Sequence, residues 1–217
     1  MRLFLEIEKT DIESAFSHGS KGKTSNHSAS DSEINFLKEF KKQYSLEEAR
    51  QLRDDLLKAK NWVKEKARGT ERYGIVASSK AKRLRADGIV SIDGGQLLSW
   101  FLSDDTDVNS AYFMELAASE FDIQGLEIDW LIFAWEGDYR YCNNEFTYNQ
   151  FRGSKWQKVN KEEDKNYLKN AYRVLLTRAR QGFIIYIPKG NKEDGTRLPE
   201  FYDETYNYLK NIGIEEI

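Results

Sequence analysis

Residues 166–188 read NYLKNAYRVLLTRARQGFIIYIP. Tyr167, Leu168, Ala171, Tyr172, Leu175, Leu176 and Ala179 recur at i, i+1 and i+4, which draws one apolar stripe along a helix. Gly182 stands where a helix C-terminal cap belongs. Directly behind it, Phe183 to Ile187 is an apolar run of strand length. A helix that feeds at once into a strand with no polar face is the repeating unit of a layered α/β domain.

Outward from this unit the pattern recurs. Tyr73 to Ala77 reads as a short buried strand, Tyr112 to Ala118 as a second and Trp130 to Trp135 as a third, with Phe183 to Ile187 the fourth. Leu46, Ala49, Leu52, Leu56, Leu57, Ala59, Trp62 and Val63 predict a helix over Leu46 to Lys66, stopped near Gly69. A last helix is expected over about Glu200 to Ile212. Apolar strands separated by helices predict an α/β fold with a mostly parallel sheet flanked by helices. Ser17 to Ser32, SHGSKGKTSNHSASDS, holds almost nothing apolar and reads as a mobile loop or linker. The expected organisation is an N-terminal arm with a flexible serine-rich segment over 1–45 and a folded domain over 46–217.

Composition bounds the chemistry. A chain of 217 residues buries a real core as one domain with an appendage. There is no apolar run near the length that spans a membrane, and the acids in Met1 to Glu8 interrupt what a signal peptide would need. The lone Cys142 excludes a disulfide framework within the chain and a multi-cysteine zinc site. These features suit a soluble, cytoplasmic protein. The formal net charge of −3 hides an uneven distribution. Phe101 to Trp135 carries eight acids and no lysine or arginine, whereas Gln150 to Arg180 carries nine bases and three acids. That basic segment, with Trp156, Tyr167 and Tyr172 in it, is of the kind that meets nucleic acid; a solvated helix face bearing lysines has the same composition.

Four local patterns bear on function. Gly19-Ser-Lys-Gly22-Lys23-Thr24 imitates a phosphate-binding P-loop, but Ser17 stands where the first glycine belongs and no helical stripe succeeds it. Gln124-Gly125-Leu126-Glu127 comes after a strand, and in an open α/β sheet ligands sit beyond the carboxyl ends of strands. Gln124 and Glu127 are then placed to hold a nucleotide sugar or a coupling loop; a tight turn with soluble acids explains them equally. Arg178, seven residues after Ala171, falls on the inward stripe of the long helix, where a guanidinium is costly without an anion to meet. The competing reading is that Arg178 and Arg180 complement the negative helix end, which suits Arg180 better. Glu136 and Asp138 suggest a carboxylate pair, or merely a solvated strand end. No Gly-x-Ser-x-Gly elbow and no plausible histidine base supports a hydrolase of the Ser-His type.

These segments together carry a resemblance. AASEFDIQGLEIDWLIFAW (residues 117–135) resembles motif V of superfamily 1 helicases, and NAYRVLLTRARQGFIIYIP (170–188) resembles their motif VI. RYGIVASSKAKRLRADGI (72–89) is similar to the opening of the second RecA-like domain in the bacterial Schlafen group 3-like DNA/RNA helicase domain family. ARQLRDDLLKAKNWVKEKARGTE (49–71) and YDETYNYLKNIGI (202–214) also fit its C-terminal part, so the match covers roughly Leu46 to Ile214. The resemblance implies a second RecA-like domain of the P-loop NTPase type, without a P-loop of its own. It implies that Arg178 reaches a γ-phosphate across a cleft, that Gln124, Gly125 and Glu127 touch the nucleotide, and that Ser78 and Ser79 contact a nucleic-acid backbone. Arg173 and Arg180 match flanking positions.

The P-loop and the acidic Mg²⁺-holding motif of such ATPases have no counterpart in the sequence. The match is therefore to the C-terminal half alone, as in a truncation, a split subunit or a degenerate homologue. The resemblance leads us to expect part of a helicase or nucleic-acid-dependent ATPase. ATP with Mg²⁺ is used only when the chain is paired with a P-loop RecA-like partner domain, and DNA or RNA is the second partner. The alternative is a non-enzymatic nucleic-acid-binding or protein-interaction module derived from that fold.

Overall fold

The computed structural model describes residues 50–53 and 55–216. The N-terminal arm, the serine-rich segment and the P-loop lookalike lie outside the described residues. Strand β1 is Arg50–Arg53, followed by helix α1 over Leu56–Lys66 and strand β2 over Tyr73–Ala77. Then come β3 (Val90–Ser91), α2 (Leu97–Leu102), β4 (Leu116–Ala118) and β5 (Ile128–Ala134). The second half holds β6 (Tyr139–Cys142), β7 (Glu145–Arg152), β8 (Lys155–Lys158), α3 (Glu162–Leu176), β9 (Ala179–Tyr186), α4 (Asp203–Asn211) and β10 (Glu215–Glu216).

Seven strands form one sheet in the order β10-β1-β9-β5-β2-β4-β3, and every neighbouring pair is parallel. This is the α/β fold with a mostly parallel sheet flanked by helices, as expected of a RecA-like domain. The central strands are apolar on both faces because both faces are covered. On one face Ala59, Trp62 and Val63 of α1 pack with Ile75, Ala77, Trp130, Ile132, Ala134 and Ile184. On the other, Tyr172 of α3 meets Phe133 with ring centroids 5.3 Å apart and Trp135 at 4.9 Å. No helix of the described residues is long and apolar enough to cross a membrane.

Several boundaries differ from the sequence reading, each for a local reason. The helix expected over Leu46 to Lys66 begins only at Leu56. Asp55 is its N-cap, and one of its carboxylate oxygens accepts from Leu57 N at 3.0 Å and Lys58 N at 3.2 Å. Arg50–Arg53 is instead a strand beside β9, with Arg50 paired to Phe183; sheet pairing overrides the helical period there. The strand expected over Tyr112 to Ala118 keeps only Leu116–Ala118. Ala111–Phe113 is a 3-10 turn closed by Met114 at φ 54°. The long helix ends at Leu176 rather than near Gly182, and β9 starts at Ala179, four residues earlier than expected. The last helix is split into a 3-10 turn at Pro199–Phe201 and α4.

One element escaped the sequence reading altogether. Between β5 and α3, strands β6, β7 and β8 form an antiparallel meander. Asn143 and Asn144, at φ 51° and 66°, make the two-residue turn that joins β6 to β7. The Asn-Asn pair between the aromatic runs Tyr139–Tyr141 and Phe146–Tyr148 was the available signal. Helix α4 holds this meander: Tyr208 stacks on Tyr141 at 4.1 Å, and Thr205 Oγ1 accepts from Tyr141 N at 2.9 Å.

Candidate nucleotide and nucleic-acid faces

The residues singled out in the sequence divide between the two ends of the parallel sheet. At the amino ends, Ile128 of β5 pairs with Ala179 of β9, and Ile128 N donates to the Arg178 carbonyl at 3.1 Å. Glu127 and Arg178 thus stand side by side on adjacent chains. Ile128 opposes Ala179 while Trp130 opposes Gly182, so β9 carries one extra residue in the stretch that includes Arg180 and Gln181. Such a bulge disrupts the ladder locally and re-aims side chains. Arg180 leans on the neighbouring chain: its Nε lies 3.7 Å from Glu127 Oε2 and a terminal nitrogen 3.9 Å from Asp129 Oδ1. The other Asp129 oxygen accepts from Arg72 N at 2.8 Å, at the start of β2.

The turn carrying Gln124, Gly125 and Glu127 is built from its own backbone. Ser119 N and Oγ donate to Asp122 Oδ2 at 2.8 and 2.6 Å, Ile123 N donates to the Ser119 carbonyl at 3.1 Å, and Ile123 is fully buried as the anchor. Gly125 has φ +83°, a conformation that other residues enter only with strain. Gln124, Gly125 and Glu127 are exposed. The turn delivers them to the amino end of β5, not beyond a carboxyl end, which corrects the placement expected from the open-sheet rule. That rule fixes where loops leaving a strand end; here the chain has already crossed back under the sheet.

Arg178 is not on the helical stripe, because the helix has stopped two residues before it. The guanidinium is half-buried and folds back on the last turn. Its Nε donates to the Val174 carbonyl at 3.2 Å, and a terminal nitrogen reaches Thr177 Oγ1 at 3.4 Å. A cation at that point complements the negative helix end. Thr177 closes the same turn, with its hydroxyl donating to the Arg173 or Val174 carbonyl. Arg173 itself bonds Asn170 Oδ1 at 2.9 Å.

At the carboxyl ends, β2 runs into Ser78 and Ser79. Ser78 is buried, and its hydroxyl donates to Asp138 Oδ2 at 2.8 Å while accepting from Lys80 N at 3.1 Å. Ser79 donates its N–H to Glu120 Oε2 at 2.8 Å and its hydroxyl to Glu120 Oε1 at 2.6 Å. Tyr167 of α3 donates to Glu120 Oε1 at 2.5 Å. Both serine hydroxyls are thus engaged inside the protein.

Beneath them lie Glu136 and Asp138, for which the sequence leaves open a carboxylate pair or a solvated strand end; they form a buried cluster. Glu136 and Asp138 are both fully buried. Asp138 Oδ1 accepts from the Tyr172 hydroxyl, and that hydroxyl accepts from Glu136 N at 3.2 Å. Glu136 Oε2 receives Arg83 N and Leu84 N at 2.8 and 3.0 Å, and its Oε1 receives Gly137 N and the Tyr202 hydroxyl at 2.7 and 3.2 Å. Burial pushes the Glu136 carboxyl up to about 7, with the nearby Asp138 charge adding to it, and burial pushes Asp138 up to about 6. Nothing in the spacing of Glu136 and Asp138 marks them as buried; only the meander that covers them does. Among the described residues no group of three or more His, Cys, Asp or Glu side chains is arranged to hold a metal ion.

No curated protein matches the chain, and no solved structure does. The model of the Schlafen group 3 DNA/RNA helicase domain matches residues 24–189, most of the length. The parallel α/β sheet is in keeping with that match, and the chain belongs to the Schlafen group 3 DNA/RNA helicase domain family.

Proposed function

We propose that the chain is the C-terminal RecA-like domain of a superfamily 1 type DNA/RNA helicase or nucleic-acid-dependent ATPase, acting in the cytoplasm. In this reading it closes one wall of an ATP pocket. Gln124, Gly125 and Glu127 face the nucleotide sugar and phosphate edge, and Arg178 supplies the arginine finger. The observation that supports it is the adjacency at the amino ends of β5 and β9, where Ile128 N donates to the Arg178 carbonyl at 3.1 Å and the chain at Glu127 adjoins the chain at Arg178. These two segments are far apart in sequence, and only their strand pairing unites them.

The chemistry rests on charge. Arg178 lies against the Val174 carbonyl, where it sees roughly the partial charge of a helix end. A γ-phosphate presented from a facing domain carries far more charge and offers several acceptor oxygens, so it draws the guanidinium out. There the guanidinium stabilises charge that develops on the transferring phosphoryl group. Mg²⁺ would be held by residues of the facing P-loop domain and would neutralise phosphate charge there. The Gln124 amide and Glu127 carboxylate are exposed acceptors suited to sugar hydroxyls.

The test is ATP turnover in the presence of single-stranded DNA or RNA. The chain alone should be inactive. Addition of a purified P-loop RecA-like domain from the same family should give turnover, and Arg178→Ala should lower it by about 10³-fold or more. Turnover by the isolated chain, or equal rates with and without the arginine, would remove the reading.

A further inference from the structure

Phe121 is 61% exposed and Tyr167 is 36% exposed, yet the two rings stack on each other with centroids 5.9 Å apart and planes within 25°. A single exposed phenylalanine is ordinary. Two nearly parallel rings held in register at a strand end are not, because both must be kept in place against solvent. The holding is done by Glu120, next to Phe121. Its carboxylate takes the Ser79 N–H, the Ser79 hydroxyl and the Tyr167 hydroxyl, so the chain end of β2, the turn after β4 and helix α3 are tied at one point. The turn bearing Phe121 is fixed from beneath by buried Ile123 and by the Ser119–Asp122 hydrogen bonds.

We propose that the Phe121–Tyr167 pair is a platform on which a base of a single-stranded nucleic acid stacks, over the carboxyl ends of β2 and β4. The inference deepens the nucleic-acid part of the proposed function and rests on it. Flat, paired, pre-ordered aromatic faces suit a purine or pyrimidine ring, and every base has such a face whatever its sequence. The charge near the platform is mixed: exposed Lys80, Lys82 and Arg85 follow Ser79 within six residues and can meet the strand's phosphates, while exposed Glu163 and Asp164 stand one helical turn before Tyr167. Glu120 is only 6% exposed and its carboxylate is occupied by three neutral donors, so its oxygens are turned into the protein and are not a contact surface for the strand. Ser79 acts here as a positioning residue, because it holds Glu120 and Glu120 holds the Tyr167 hydroxyl; Ser78 instead holds Asp138 and, through it, buried Tyr172. Arg178 lies at the opposite end of the sheet from the platform, whereas Gln124 shares the Phe121 turn, its N–H 3.5 Å from the Phe121 carbonyl, so the turn adjoins both faces.

The experiment uses the intact chain with adenine-rich DNA and RNA oligonucleotides of about 15 nucleotides carrying 2-aminopurine, whose fluorescence is quenched by stacking. Wild type should bind and quench. Phe121→Ala should weaken binding about 10-fold and abolish most of the quenching, while the dependence of affinity on salt keeps its slope because phosphate contacts remain. Phe121→Trp should restore both. Comparison of the DNA and RNA arms identifies which strand the platform serves. Binding and quenching unchanged in Phe121→Ala would overturn the platform while leaving nucleic-acid binding intact. If wild type binds neither oligonucleotide at about 50 mM salt, the nucleic-acid reading falls and the platform with it.

Discussion

The Ser78 hydroxyl donates to Asp138 Oδ2 at 2.8 Å across 60 positions of sequence, fastening the carboxyl end of β2 to the chain that enters the meander. The partners of Asp138 are neutral: the Ser78 and Tyr172 hydroxyls and the Tyr139 N–H. Two other carboxylates lie near it, Glu136, equally buried, and Glu120, whose charge adds to the rise of Asp138. Hydroxyls can turn from donor to acceptor, so this pocket accommodates a proton on Asp138 while keeping its hydroxyl contacts.

That arrangement sets a pH dependence. Burial raises both carboxyls above their unfolded values, Glu136 to about 7 and Asp138 to about 6. Between about pH 4 and pH 7 the folded state therefore holds more protons than the unfolded one, and this pair's contribution to stability falls as pH rises. Asp138→Asn keeps an acceptor and a donor for the two hydroxyls and removes the charge that also lifts Glu136. Urea unfolding at about pH 5 and pH 8 should show wild type losing on the order of 1–3 kcal/mol over that interval, and the variant clearly less. Identical slopes would mean that the pair does not titrate in this window.

What could be read from the sequence depends on where local and tertiary signals agree. Tyr73–Ala77 stands as a strand with the bounds expected of it, and the apolar stripe of α3 is buried as drawn at Leu168, Ala171, Tyr172, Leu175 and Leu176. Arg50–Arg53 was misread because its apolar spacing continues the period of α1, although Asp55 marks the true helix start. The site was harder. That Glu127 and Arg178 adjoin depends on β5 lying next to β9, and strand order is not written in any local pattern. The burial of Glu136 and Asp138 depends on the meander, whose aromatic alternation was visible but unread.

Gly190 is a position where the backbone leaves no room. Its φ is +73°, and a Cβ there would stand 2.6 Å from the Arg197 carbonyl oxygen and 2.8 Å from Pro199 N. Both obstacles are main-chain atoms, so relief requires moving the loop that carries Arg197. Gly190→Ala should cost about 2 kcal/mol or more, read as a lower urea midpoint with an unchanged slope. A neutral outcome would show that this loop shifts freely.

Arg197 closes the same loop onto the core. One terminal nitrogen lies 2.5 Å from each Asp87 oxygen, and the two side chains are 10% and 19% exposed. Burial nonetheless holds the Asp87 carboxyl above its ordinary value, against the pull of Arg197. Arg197→Ala leaves that carboxylate half-hidden without its cation and should cost about 3 kcal/mol. The loss should be smaller at about pH 5 than at pH 8, because a carboxyl pushed further up is more readily neutralised in the folded state. In the Arg197→Ala background, Asp87→Ala should then cost much less than it does alone. Additive costs in that cycle would show that the two residues act independently.

The two arginines at the amino face separate function from stability. Arg180 is 54% exposed and its contacts to Glu127 and Asp129 are long, 3.7 and 3.9 Å, so solvent screens most of their attraction. Arg178 holds the end of α3 through the Val174 carbonyl, a helix-end contact of modest worth. Arg180→Ala should change stability by less than about 0.5 kcal/mol, and Arg178→Ala by about 1 kcal/mol. Both variants should then give wild-type circular dichroism and near-wild-type urea midpoints. Any loss of partner-dependent ATP turnover in Arg178→Ala is thereby attributable to the missing guanidinium rather than to unfolding. A cost above about 3 kcal/mol for Arg178→Ala would instead identify the residue as a structural clamp, since only groups buried with their partners are that expensive to remove.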